Sequence, residues 1–69
     1  MNSMGKDRKP YNGEYRHRVS DDGRWVVERK RPGETRFTRV AHGREESKAE
    51  ARRIAIHRTD VVREGDSLR

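Results

Sequence analysis

Gly23-Arg24-Trp25-Val26-Val27-Glu28-Arg29-Lys30 is the stretch on which the reading of this chain turns. It holds the only tryptophan and the densest run of β-forming residues. A turn signal stands on each side, Asp21-Asp22-Gly23 before it and Arg31-Pro32-Gly33-Glu34 after it. The spacing predicts the middle strand of a small antiparallel sheet. Trp25, Val27 and Arg29 share one face of that strand, and Arg24, Val26, Glu28 and Lys30 share the other. The Trp25/Val27 face is the better candidate for the core.

Upstream, Glu14 to Val19 alternates, with Tyr15, His17 and Val19 pointing one way and Arg16 and Arg18 the other. Ser20-Asp21-Asp22-Gly23 then reads as a hairpin connection, because Asp tolerates turn geometry and Gly supplies positive φ. Downstream, Pro32-Gly33 suits the centre of a type II turn. A third strand is expected from about Thr35 to His42, with Gly43 ending the sheet. Its register is open between two faces: Phe37, Arg39 and Ala41 on one, Arg36, Thr38, Val40 and His42 on the other. Phe37 and Val40 cannot both face inward without a bulge.

Ser47-Lys48-Ala49-Glu50 fits a capping box, so a helix is predicted from about Lys48 to Arg63. Ala51, Ile54, Ala55, Arg58, Val61 and Val62 fall on one stripe of it. Ile56 lies roughly opposite, as an exposed apolar residue. The fold class is therefore α+β, a three-stranded antiparallel sheet packed on one C-terminal helix in the order β-β-β-α. Residues 1–13 read as a flexible basic arm, 14–63 as the single domain and 64–69 as a disordered tail.

With 69 residues the chain has room for one domain with a small core. It has no cysteine, which excludes a disulfide framework and a thiolate metal site. Charged residues make up 43% and hydrophobic ones 28%, so no apolar run approaches a membrane span. With no signal peptide in view, a cytoplasmic location is expected. His17, His42 and His57 lie in separate elements without a second ligand at metal spacing. No nucleophile motif or phosphate-cradling loop is present. Neither an enzyme nor a cofactor is expected.

The net charge is +6, and its distribution is uneven. Residues 1–44 carry 12 Lys/Arg against 6 Asp/Glu, whereas 45–69 carry 6 of each. All the excess positive charge thus belongs to the arm and the strands, which favours a polyanion on the sheet side. The face opposite the core would present Arg16, Arg18, Arg24, Glu28, Lys30 and, in one of the two registers, Arg39. Lys6, Arg8 and Lys9 would let the arm run along phosphates or into a groove. A narrow sheet enters a major groove ~12 Å wide, and guanidiniums take phosphate oxygens or the O6/N7 edge of guanine. Glu28 would accept from cytosine N4 or orient its arginine neighbours.

Gly23-Arg24-Trp25-Val26-Val27-Glu28 resembles the G-[RK]-[WF]-x-A-E-I-R strand of AP2-type DNA-binding domains. Ser47-Lys48-Ala49-Glu50-Ala51 resembles the T-x-E-E-A helix start of that family, at a similar distance along the chain. More loosely, the arrangement is similar to the arm-binding domains of tyrosine recombinases. This chain has Ala41-His42-Gly43 where the family has Trp-Leu-Gly, and Glu45 in place of an aromatic before the helix. The resemblance implies a sheet laid in the major groove, with Arg16 or Arg18, Glu28, Lys30 and Arg39 as contacts and Trp25 in the core. The expected function is that of a small DNA-binding protein, such as an accessory or regulatory factor of a phage or mobile element. Two alternatives stay open: a protein-binding adaptor or inhibitor for an acidic surface, and an RNA-binding module.

Overall fold

The computed structural model describes residues 13–67. The expected arm, with Lys6, Arg8 and Lys9, lies outside the described residues apart from its last residue, Gly13, and so do residues 68 and 69. Strands β1 (Glu14–Val19), β2 (Arg24–Lys30) and β3 (Thr38–Arg44) form one antiparallel sheet in the order β1-β2-β3. Helix α1 (Lys48–Ser67) follows. This is the β-β-β-α arrangement expected from the sequence.

The first hairpin closes through bonds from Gly23 N–H to the Ser20 carbonyl (3.1 Å) and from Ser20 N–H to the Arg24 carbonyl (2.9 Å). Gly23 adopts φ 89°, a conformation that L side chains rarely take. A Cβ there would also collide with the Glu45 carbonyl oxygen. At the second turn Glu34 N–H bonds the Arg31 carbonyl (2.9 Å) and Gly33 has φ 92°, as a type II turn requires.

β1 meets β2 with Tyr15 opposite Arg29, His17 opposite Val27 and Val19 opposite Trp25. The core is formed by Trp25, Val27, Ala41, Ala51 and Ala55, with Val19, Val40 and Ile54 packed against it. It lies between the sheet and α1, as the strand alternation predicts. Small side chains at Ala51 and Ala55 let the helix approach closely, and α1 lies mainly across β1 and β2.

The third strand departs from its expected bounds. It begins at Thr38 rather than near Thr35, and it runs through Gly43 to Arg44. Gly43 does not end the sheet, because it sits opposite Trp25 and the indole occupies the space of its missing side chain. A Cβ on Gly43 would lie 2.7 Å from Trp25 Cζ2. A β-bulge falls between Val27 and Glu28, where the partner changes from Ala41 to Arg39 and Val40 is left over. The bulge resolves the open register. Val40 and Ala41 both serve the core, while Arg39 and His42 both belong to the opposite face.

Helix α1 starts as predicted: the Ser47 hydroxyl accepts from Glu50 N–H (3.1 Å). It does not stop at Arg63 but continues to Ser67, four residues into the stretch expected to be a tail. The reason is Asp66. Its carboxylate accepts two bonds from Arg29 Nη1 (2.7 and 2.8 Å) and one from the Tyr15 hydroxyl (2.6 Å). The buried stripe of α1 is Ala51, Ala55 and Thr59, with Ile54, Val62 and Asp66 half-buried beside it. Arg58 and Val61 are exposed instead of lying in the stripe. The buried Thr59 hydroxyl is satisfied by donating to the Ala55 carbonyl (2.7 Å).

Burial alone would raise Asp66, but Tyr15 and Arg29 outweigh it and hold the carboxyl below its ordinary value of 3.8. A carboxylate depressed in the fold stabilises it above the unfolded value and ceases to do so as pH falls through the folded one. Stability should therefore decline as pH drops below about 4, and Asp66→Asn should flatten that acid limb. Urea melts at stepped pH, followed by Trp25 fluorescence, read this directly. Trp25→Ala should remove about 3–5 kcal/mol and unfold the domain. Gly43→Ala should cost about 1–3 kcal/mol through overpacking. Both are measured by denaturation followed by circular dichroism.

Candidate nucleic-acid interface

The sheet face turned away from α1 follows from the strand registers. In cross-strand rows it carries Glu14 with Lys30, then Arg16 with Glu28 and Arg39, then Arg18 with Val26 and His42, then Arg24 with Arg44. Six of these side chains are cationic and two, Glu14 and Glu28, are acidic. The bulge matters here. In an unbroken strand Arg39 would share a side with Ala41 and point into the core. The extra residue turns it outward beside Glu28.

Glu28 is the buried charge of this face, with a side chain 11% exposed. Arg16 Nε donates to its Oε1 at 2.6 Å and Arg18 Nη2 to its Oε2 at 3.2 Å. The Arg16 bond comes first among the influences that hold the Glu28 carboxyl below its ordinary value of 4.5; burial opposes it, and the charges of Arg16 and Arg18 add to it. Both carboxylate oxygens are thus engaged. Of the two roles open to Glu28, the geometry is that of an orienting group for arginines.

Phe37, just before β3, lies on this face as well. The Arg16 guanidinium carbon is 3.9 Å from its ring centroid, and Lys30 Nζ is 5.5 Å away. Lys30 also pairs with Glu14 (3.3 Å). The β1–β2 half of the face is therefore largely compensated within the protein.

The β2–β3 half is not. Arg24 and Arg44 stand directly opposite each other, a like-charge pair that destabilises a sheet by itself. The turn residue Asp22 partly offsets it, at 3.3 Å from Arg24 Nε. Its carboxyl is held below 3.8 chiefly by the Ser20 hydroxyl, with Arg24 and Arg44 contributing charge. Arg39 and Arg44 make no ion pair among the described residues. Arg24, Val26, Arg39, His42 and Arg44 together line a shallow open depression.

The structure thus brings Arg16, Arg18, Arg24, Glu28, Lys30 and Arg39 to one face. It adds Arg44, which the sequence reading did not assign to it, and it places there both Phe37 and His42, whose faces the open register of the third strand had left undecided. The alternation of β3 would have revealed Arg44 had the strand been carried past Gly43. The histidines remain apart, and among the described residues no group of three or more His, Asp or Glu could hold a metal ion. No helix there is long and apolar enough to cross a membrane. No family model matches the chain, and neither a curated protein nor a solved structure is significantly similar to it.

Glu28→Gln should weaken the hold on Arg16 and Arg18. Because both arginines are at least half exposed, the stability loss should be modest, about 1 kcal/mol. Chemical denaturation at neutral pH measures it.

Proposed function

We propose that this chain is a non-enzymatic DNA-binding protein that docks the helix-free face of its sheet on duplex DNA. The carrying observation is the set of exposed guanidiniums at Arg18, Arg24, Arg39 and Arg44, spread over all three strands on that face. Arg24 and Arg44 repel each other in the free protein, and a phosphate between them would remove that repulsion. The AP2-like motifs of β2 and of the helix start support the same mode of docking. On this reading Lys6, Arg8 and Lys9 add phosphate contacts from the arm.

Duplex is favoured over single-stranded RNA by the state of Phe37. Among the described residues it is the one Phe, Tyr or Trp of this face, and Arg16 covers its ring. Single-strand binders need open rings on which bases stack.

Four phosphate contacts at about 0.9 each give a log–log salt slope near −3.6, and steeper if the arm takes part. Fluorescence anisotropy of a labelled random-sequence duplex, titrated at low and at near-physiological salt, measures this slope. Arg44→Ala should reduce it by about 0.9 while weakening binding to all sequences alike. Absent or salt-insensitive binding would overturn the proposal and point to an acidic protein surface.

A further inference from the structure

We infer that Arg16, held by Glu28 and Phe37, is a base-reading residue that selects guanine, distinct from the phosphate-taking arginines around it. This inference rests on the duplex-binding reading above.

The four exposed arginines and Arg16 differ in how firmly they are held. Arg39 and Arg44 have no ion-pair partner among the described residues, and Arg24 has only an exposed turn carboxylate. Arg18 reaches Glu28 at 3.2 Å and is 66% exposed. Arg16 is restrained on two sides. Its Nε donates to Glu28 Oε1 at 2.6 Å, and its guanidinium carbon sits 3.9 Å from the Phe37 ring centroid. The carboxylate fixes one edge of the planar group and the ring restrains its plane. Its side chain is still 50% exposed, and its terminal nitrogens make no hydrogen bond among the described residues.

The position of this group matters as much as its rigidity. Arg16 belongs to β1, its carboxylate partner to β2, and Phe37 to the residue before β3. The guanidinium is therefore drawn from the edge strand inward over the sheet. In a groove-docked sheet the middle faces base edges and the margins face the phosphate walls. A phosphate oxygen accepts from a mobile cation in many orientations, so it needs no such restraint. Guanine presents two acceptors, O6 and N7, in fixed geometry, and a paired N–H donor matches them only in one orientation. A guanidinium whose Nε is already occupied offers Nη1 and Nη2 as that pair. Holding it in place before binding also lowers the ordering entropy of the contact. Glu28 and Phe37 are then positioning residues, acting through Arg16.

The test is selection of bound duplexes from a randomised pool, followed by affinity measurements on the enriched site and on single-base variants of it. Wild-type protein should enrich a guanine whose replacement by adenine lowers affinity about 5- to 150-fold. Arg16→Lys keeps the charge but loses the planar fork, so it should abolish discrimination at that base. Its salt slope and its melting temperature should stay close to wild type. Phe37→Leu, which keeps an apolar contact but removes the ring face, should reduce the same discrimination without affecting other positions. Arg44→Ala should weaken all sequences alike and leave the guanine preference intact. An Arg16→Lys protein with unchanged guanine preference, or salt-dependent binding with no base preference, would overturn this inference and leave the DNA-binding reading standing. Failure to bind any duplex at low salt would overturn both.

Discussion

The Trp25 indole lies across Gly43 of the neighbouring strand, and much of the domain depends on that fit. Any side chain at Gly43 would enter the space the ring occupies, so the pair works only with glycine opposite tryptophan. The indole N–H donates to the Glu45 carboxylate at 3.1 Å, satisfying the one polar atom of a buried ring. Glu45 in turn donates its backbone N–H to the Gly23 carbonyl at 2.8 Å, tying the sheet-to-helix connection to the first hairpin turn. With a core built otherwise from valine, isoleucine and alanine, this one aromatic supplies the largest buried surface. It also links the first hairpin turn to the segment that leads into the helix.

The two faces of the sheet handle charge in different ways. On the core side, Arg29 and the Tyr15 hydroxyl both donate to Asp66, which closes the far end of the helix against β1 and β2. That polar clasp extends the helix past the last valine of its sequence. On the open side, Glu28 absorbs the charge of Arg16 and part of that of Arg18, Arg24 has only the exposed turn carboxylate of Asp22, and Arg39 and Arg44 make no ion pair among the described residues. The result is a basic surface on which one guanidinium is held on two sides and the others have one partner or none among the described residues. On the proposed duplex-binding reading, the two kinds of arginine match the separate tasks of positioning by phosphates and specification by bases.

The β-bulge connects the two faces. One extra residue in β3 lets Val40 and Ala41 both serve the core and turns Arg39 out beside Glu28. A strand without it would have to bury a guanidinium or expose a valine. The bulge thus improves the core and the basic face at once.

The order β-β-β-α was legible because the signals are local. Alternation in Glu14–Val19 and Arg24–Lys30, glycines at the turns, and the Ser47–Glu50 cap each fix a short piece of backbone. The inward face of β2 and the outward arginines of β1 follow from the same two-residue period. Three features were not legible, and all depend on contacts distant in sequence. Gly43 looked like a strand end, because only the packed indole shows why a strand needs glycine there. The helix end was misplaced, because Asp66 is polar and its partners Tyr15 and Arg29 lie 51 and 37 residues earlier. The register of β3 stayed open, because a bulge is decided by which neighbour fills the core and leaves no periodic mark in the chain. Sequence by itself determined the elements, their order and the sign of the exposed face. Tertiary structure decided which arginines are held and which are free, since that depends on cross-strand geometry that no local pattern encodes.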